Sequence, residues 1–149
     1  MNDTAAKPTI VLAEDDDGHA ILIQRNLNRA ALPSSLVRVH NGLELLDLFQ
    51  RDEEIGKKQM LVLLDLRMPY LDGIEALRWL KANDRTAKIP VWVLTTSDDQ
   101  RDIERCYRLG CNVYITKPVG FDALSDAIAR LGSFLQITTL PGGAREERS

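Results

Sequence analysis

No stretch of the 149-residue chain approaches the roughly 20 consecutive apolar residues that a bilayer-spanning helix needs. The opening "MNDTAAKP" lacks the apolar core of a secretory signal, so the expectation is a soluble, cytoplasmic protein with no membrane partner. Basic residues are not massed on any segment. The 19 Lys and Arg are scattered among 22 Asp and Glu, the net charge is −3, and no footprint for nucleic acid stands out. Cysteine is scarce: Cys106 and Cys111 fit no repeated C-x-x-C pattern and read as structural thiols of a reducing compartment. Histidine is scarce too. His19 and His40 have no ligand partner at helical spacing and read as surface or capping residues.

What is present is an alternation. Short runs rich in Val, Ile and Leu fall at 9–13 (TIVLA), 36–39 (LVRV), 60–65 (MLVLLD), 91–95 (VWVLT) and 112–116 (NVYIT), each of strand length. Amphipathic stretches follow at about 18–31, 42–50, 72–83, 98–110 and 120–135, the first with Ile21 or Leu22 and Leu27 on its inner face. Pro33, Gly56, Pro90, Gly110 and Pro118 punctuate them. Strands separated by helices make a parallel sheet, since a parallel connection needs a crossover of a dozen or more residues. Helices on both faces explain why "MLVLL" and "VWVL" are continuous apolar runs. The expected organisation is a tail at 1–8, one α/β domain at 9–135, and an extension at 136–149 that is apolar and then disordered.

Within this pattern "LVLLDLRMP" is anomalous, because Asp65 ends a run that should be buried and an unpartnered buried charge costs several kcal/mol, on the order of its lost hydration. In open parallel sheets ligands bind outside the carboxyl ends of the strands. Polar residues collect there: Glu14 and Asp15 after the first strand, Asp65 after the third, Thr95 and Thr96 after the fourth, Lys117 and Pro118 after the fifth. Three carboxylates together repel one another unless a cation joins them. An acid-rich, His-poor set suits Mg²⁺ better than zinc.

"LAEDD", "LLDLRMPYLDG", "VWVLTTS" and "YITKPV", in this order, resemble the receiver domain of bacterial two-component response regulators, from about residue 9 to 131. "LGCNVYITKP" and "FLQITTLP" are most similar to single-domain regulators of cyanobacterial phytochromes and bacteriophytochromes. The resemblance implies a flavodoxin-like (βα)5 doubly wound fold with strand order 2-1-3-4-5. It implies that Asp65 accepts a phosphoryl group from a sensor histidine kinase. Mg²⁺ would be held by Glu14, Asp15, Asp65 and the backbone carbonyl of Arg67, and Lys117 would balance a phosphoryl oxygen. Thr95 and Tyr114 match the switch hydroxyl and switch aromatic, Gly73 a loop glycine, and Lys117-Pro118 a cis peptide. Such a protein is a phosphoacceptor that catalyses only its own phosphorylation and dephosphorylation. Glu14 departs from the more usual aspartate, Thr96 from alanine, and Arg67 and Ser97 occupy positions that tune phosphate lifetime.

Each residue also has a plainer reading. Asp65 alone could be a strand terminus, Thr95 a strand-end hydroxyl, Tyr114 a half-buried aromatic, and Asp16 and Asp17 helix N-terminal residues favoured by the macrodipole. Trp79 and Trp92 read as core or partner surface. Phe121, Leu124, Ile128 and Leu131 repeat at helical steps that dock one face on the sheet. Beyond them Phe134, Leu135, Ile137 and Leu140 either fold back or are covered by another chain. The dimer reading uses the fourth helix, fifth strand and fifth helix, with Phe121, Ile128, Phe134, Leu135, Ile137 and Leu140 on its surface. Two other functions stand beside the switch: a non-phosphorylated scaffold on the same fold, and a Mg²⁺-dependent phosphohydrolase. The chain lacks the D-x-D-x-[TV] motif of the latter.

Overall fold

The computed structural model describes residues 8–29, 35–52, 54 and 59–141. The expectations placed on residues 1–7 and 142–149, on Pro33 and Gly56, and on the last residues of the first helix lie outside these. In chain order the elements are β1 (Thr9–Ala13), α1 (Asp17–Arg29), β2 (Ser35–Val39), α2 (Gly42–Arg51), β3 (Met60–Leu64), α3 (Gly73–Ala82), β4 (Val91–Thr95), α4 (Gln100–Leu109), β5 (Val113–Thr116) and α5 (Phe121–Gln136). All neighbouring strands are parallel, as the alternation predicts, and lie in the order β2-β1-β3-β4-β5 that the family resemblance implies.

β3 is buried along its whole length because its side chains alternate between two cores. Val62 and Leu64 pack with Leu45, Phe49, Leu77 and Leu80 of α2 and α3, whereas Leu61 and Leu63 pack with Ile23, Leu27, Ile128 and Leu131 of α1 and α5. Each such side chain contributes roughly 1.5–3 kcal/mol on burial. Among the described residues no helix is long and apolar enough to cross a membrane.

Helix ends follow local chemistry. Asn41 caps α2 by accepting from Glu44 N (2.8 Å), and the Glu44 carboxylate accepts from the His40 backbone N–H (2.8 Å) and contacts its ring, so of the surface and capping readings His40 takes the surface one, just ahead of the cap. α4 ends where Gly110 turns left-handed (φ 111°), with Gly110 N donating to Tyr107 O and Cys111 N to Cys106 O. That motif places Cys106 and Cys111 as the apolar pair closing the helix end. Burial pushes the thiols up, to about 12 and about 11, so both stay protonated and structural.

Several expectations need correction. Ile128 and Leu135 are 1% and 8% exposed, so they belong to the core and line no dimer surface. Phe121, the first residue of α5, is 71% exposed and does not dock on the sheet with Leu124, Ile128 and Leu131. Leu22 faces inward and Ile21 outward. The segment after α5 folds back: Leu140 packs on the α1/α5 layer and its carbonyl accepts from Gln59 Nε2 (3.1 Å), while within α5 Phe134 stacks on Trp92 with centroids 5.5 Å apart. No cis peptide occurs among the described residues, so Lys117–Pro118 is trans; before proline the two forms differ by only about 0.5–1 kcal/mol.

The loop from β3 to α3 returns through Tyr70, a non-glycine residue in the left-handed region (φ 72°), and closes when Gly73 N donates to Leu66 O (2.9 Å). A Cβ at Gly73 would collide with the backbone of Asp65 and Leu66. Gly73→Ala is therefore expected to destabilise the fold by about 1–3 kcal/mol, as overpacking does. Urea unfolding measures it, and an unchanged midpoint would mean that the loop yields freely.

Candidate functional site

The register of the sheet assembles the site. Ala13 lies opposite Leu64, and Asp65 N donates to Ala13 O (3.0 Å), so Asp65 emerges directly beside Glu14. On the other side Lys117 N donates to Thr95 O (2.6 Å), which fixes where β5 releases its lysine. Glu14, Asp65, Thr95 and Lys117 are all buried, and Asp15 is exposed at the rim.

Lys117 Nζ lies 2.5 Å from Glu14 Oε1 and 3.6 Å from Asp65 Oδ2. Asp65 Oδ1 accepts from Arg67 N (3.3 Å). One oxygen each from Glu14, Asp15 and Asp65 can be grouped within 4.8 Å. The donor set is all carboxylate, and hard divalent cations take such oxygens. The electrostatics fit as well: burial first, then the Asp65 charge, push the Glu14 carboxyl from 4.5 up to about 7 against the pull of Lys117. One lysine does not fully neutralise this cluster.

The sign of that shift fixes a pH dependence. Between 4.5 and about 7 folded Glu14 holds a proton that the unfolded chain has released, so without metal the Glu14 contribution to stability falls as pH rises through this window. A cation needs the carboxylate. Affinity for a divalent cation held here should therefore rise with pH up to about 7 and level off above, with proton release on binding at pH 6. Calorimetry in buffers of different ionisation enthalpy measures that release, and equal affinity at pH 6 and 8 with none released would refute it.

The sequence-predicted hydroxyl and aromatic line the next layer. Thr95 is fully buried, with Oγ1 3.5 Å from Ser97 N. Tyr114 is half-buried and its hydroxyl donates to Ser97 O (2.8 Å). Ser97 Oγ donates to Asp102 Oδ2 (2.7 Å) and accepts from Asp99 N (3.3 Å), so this serine is spent on the start of α4. Tyr107 of α4 accepts the Tyr114 backbone N–H on its phenolic oxygen (3.1 Å). Thr96 is exposed and lines a pocket together with His19.

Two site residues escaped the sequence. Arg38 of β2 donates Nε and Nη2 to the Glu14 carbonyl (3.0 and 2.7 Å) and pairs with Asp17 (2.9 Å), clamping the turn that carries the acidic pair. A lone arginine inside "LVRV" was its one signal. His19, read as surface or capping, is half-buried with Nδ1 2.9 Å from Lys117 Nζ. Nothing in the local sequence announces a contact across 98 positions.

The sequence pattern of the response regulator receiver domain matches residues 10–129. A response regulator receiver domain from Rhodospirillum rubrum is 43% identical, with a TM-score of 0.85 over 91% of this chain and 98% of that one. The response regulator Rcp1 of Synechocystis is 33% identical over 145 residues, 95% of this chain and 99% of its own. Its Mn²⁺-bound crystal structure superposes with a TM-score of 0.82, over 90% and 99% of the two chains. The phosphorylated cyanobacterial phytochrome response regulator RcpA is 34% identical, with a TM-score of 0.81 over 92% of this chain and all of that one.

Proposed function

Because the chain belongs to the response regulator receiver domain family, with a phytochrome response regulator among its relatives, we propose that it accepts a phosphoryl group on Asp65 from the phosphohistidine of a sensor kinase, one of the phytochrome type. The observation that carries this reading is the buried Lys117 set between Glu14 and Asp65, beside a cluster of three carboxylates. Asp15, at the rim of the cluster, borders a groove of about 590 Å³ that is also lined by Arg67, Asp72 and Asp102, room that a phosphoryl donor could use.

An Asp65 oxygen forms the O–P bond as the P–N bond of the phosphohistidine breaks, and the leaving imidazole keeps the electron pair and takes a proton from solvent. Two anions must meet for this. Lys117 supplies fixed positive charge at the entering oxygen, and a bound Mg²⁺, held by Glu14, Asp15, Asp65 and the Arg67 carbonyl, would neutralise the rest. That the relative Rcp1 binds Mn²⁺ supports a divalent ion as the partner of these carboxylates. Thr95 turns toward the new phosphoryl oxygen and Tyr114 then repacks, releasing its bond to Ser97 O.

The changed surface is the output, and the kinase meets it in the cytoplasm. Self-association is assigned to α4, β5 and α5, where Phe121, Phe134 and Ile137 remain exposed, with Leu140 at the margin. Light scattering with and without a phosphoryl mimic tests this, and a monomer in both states would remove it. For the phosphoacceptor role, intact mass after incubation with a small acyl phosphate and Mg²⁺ should show one labile phosphoryl group, absent when EDTA is present. Failure to add mass and to bind beryllofluoride with Mg²⁺ would leave a receiver fold without the switch.

A further inference from the structure

Lys117 keeps a partner that phosphoryl transfer does not account for. Its ammonium carries three N–H bonds and faces three acceptors: Glu14 Oε1 at 2.5 Å, His19 Nδ1 at 2.9 Å and Asp65 Oδ2 at 3.6 Å. The first two are hydrogen bonds and the third is too long for one. A lysine ammonium can only donate, so Nδ1 must be the unprotonated nitrogen and the imidazole carries its hydrogen on Nε2. The imidazole is placed by its own turn. His19 lies in the first turn of α1, its backbone N–H donates to Asp16 Oδ1 (3.0 Å), and beside it runs a pocket of about 420 Å³ walled by Leu22, Thr96, Pro118 and Phe121.

We propose that His19 is a positioning residue that holds Lys117 off the nucleophile and ready for a phosphoryl oxygen. The inference rests on the reading of Lys117 as the partner of that oxygen. The lysine head is a point charge on a flexible stem and moves to whatever acceptor is nearest. With only Glu14 and Asp65 available it would settle on both carboxylates, tying up the oxygen that has to attack. His19 gives it an acceptor that is neither nucleophile nor metal ligand. Two of the three N–H bonds are then fixed, and the third remains open toward Asp65 at a spacing that an entering oxygen can close.

The test is beryllofluoride binding at saturating Mg²⁺, followed by fluorine NMR, in wild type, His19→Leu and His19→Gln. Loss of one neutral acceptor should weaken binding about tenfold in His19→Leu, a typical value for one hydrogen bond. His19→Gln, which offers a carbonyl acceptor, should recover most of it, with the thermal midpoints of the three proteins alike. Nitrogen NMR of the wild-type imidazole at pH 8 should show Nδ1 as the unprotonated, hydrogen-bonded nitrogen. An indifferent His19→Leu, a loss that His19→Gln does not recover, or a proton on Nδ1 would each overturn the inference alone. Absence of beryllofluoride binding in the wild type would overturn the phosphoacceptor reading and this inference with it. Should His19→Leu not fold, His19→Gln and the nitrogen spectrum decide the question.

Discussion

Asp65→Asn should take up no phosphoryl group at any concentration of a small acyl phosphate. The amide has nearly the shape of the carboxylate it replaces, so the backbone bonds that seat residue 65, from Asp65 N to Ala13 O and through Gly73 to Leu66, have no reason to change. What disappears is the oxygen proposed as the nucleophile, and with it one of the three carboxylates grouped where a cation could be held. A side effect separates this loss from misfolding. The Asp65 charge is the second cause of the raised Glu14 carboxyl, so the variant should hold its Glu14 proton less tightly than wild type, and its metal-free stability should fall less as pH rises toward 7. Intact mass reads the first result, urea unfolding across pH the second. Stoichiometric phosphorylation of the variant would remove Asp65 as the acceptor.

Lys117→Met should have the largest effect on the fold itself. The lysine is 3% exposed, and methionine fills similar space without charge. Glu14 and Asp65 are then left facing each other, and removing one partner of a buried ion pair costs about 3–5 kcal/mol where the remaining charge stays ionised. The chain has an escape. Glu14, without the one cation that lowers its pKa, takes up a proton at higher pH than wild type does. A folded pKa raised further above the unfolded value means that stability falls further as pH rises, so the cost at pH 8 should exceed the cost at pH 6, and Mg²⁺ should recover part of it. Some phosphorylation should survive while the switch is lost. Equal destabilisation at the two pH values, with no response to Mg²⁺, would show that packing rather than charge is what Lys117 contributes.

How far the sequence reached can be judged element by element. β1 and β4 begin and end where the apolar runs do, because a strand buried on both faces has no freedom to place a polar residue inside it. Glu14, Asp15, Asp65, Thr95 and Lys117 were legible for the related reason that strand ends in a parallel sheet share one rim. Ile128 and Leu135 were misplaced because the same helical stripe was asked to serve the core and an outer surface, and the core took it. His19 and Arg38 were missed because their contacts join residues 98 and 24 positions apart, which no local pattern records. Tyr70 gave no warning of its left-handed backbone, since tyrosine is not a residue that favours it.

The bond from Tyr114 N to the Tyr107 hydroxyl bears on how this protein survives at high concentration. β5 is an outer strand of the sheet, and the unpaired amides of outer strands invite the strands of other molecules, the first step of aggregation. Most proteins blunt such a strand with charge or proline. Here a phenol reaches across from the neighbouring helix and occupies the amide in the middle of the strand. Solubility and the mobility of α4 are thereby tied together: any excursion that carries Tyr107 away also bares a template for assembly.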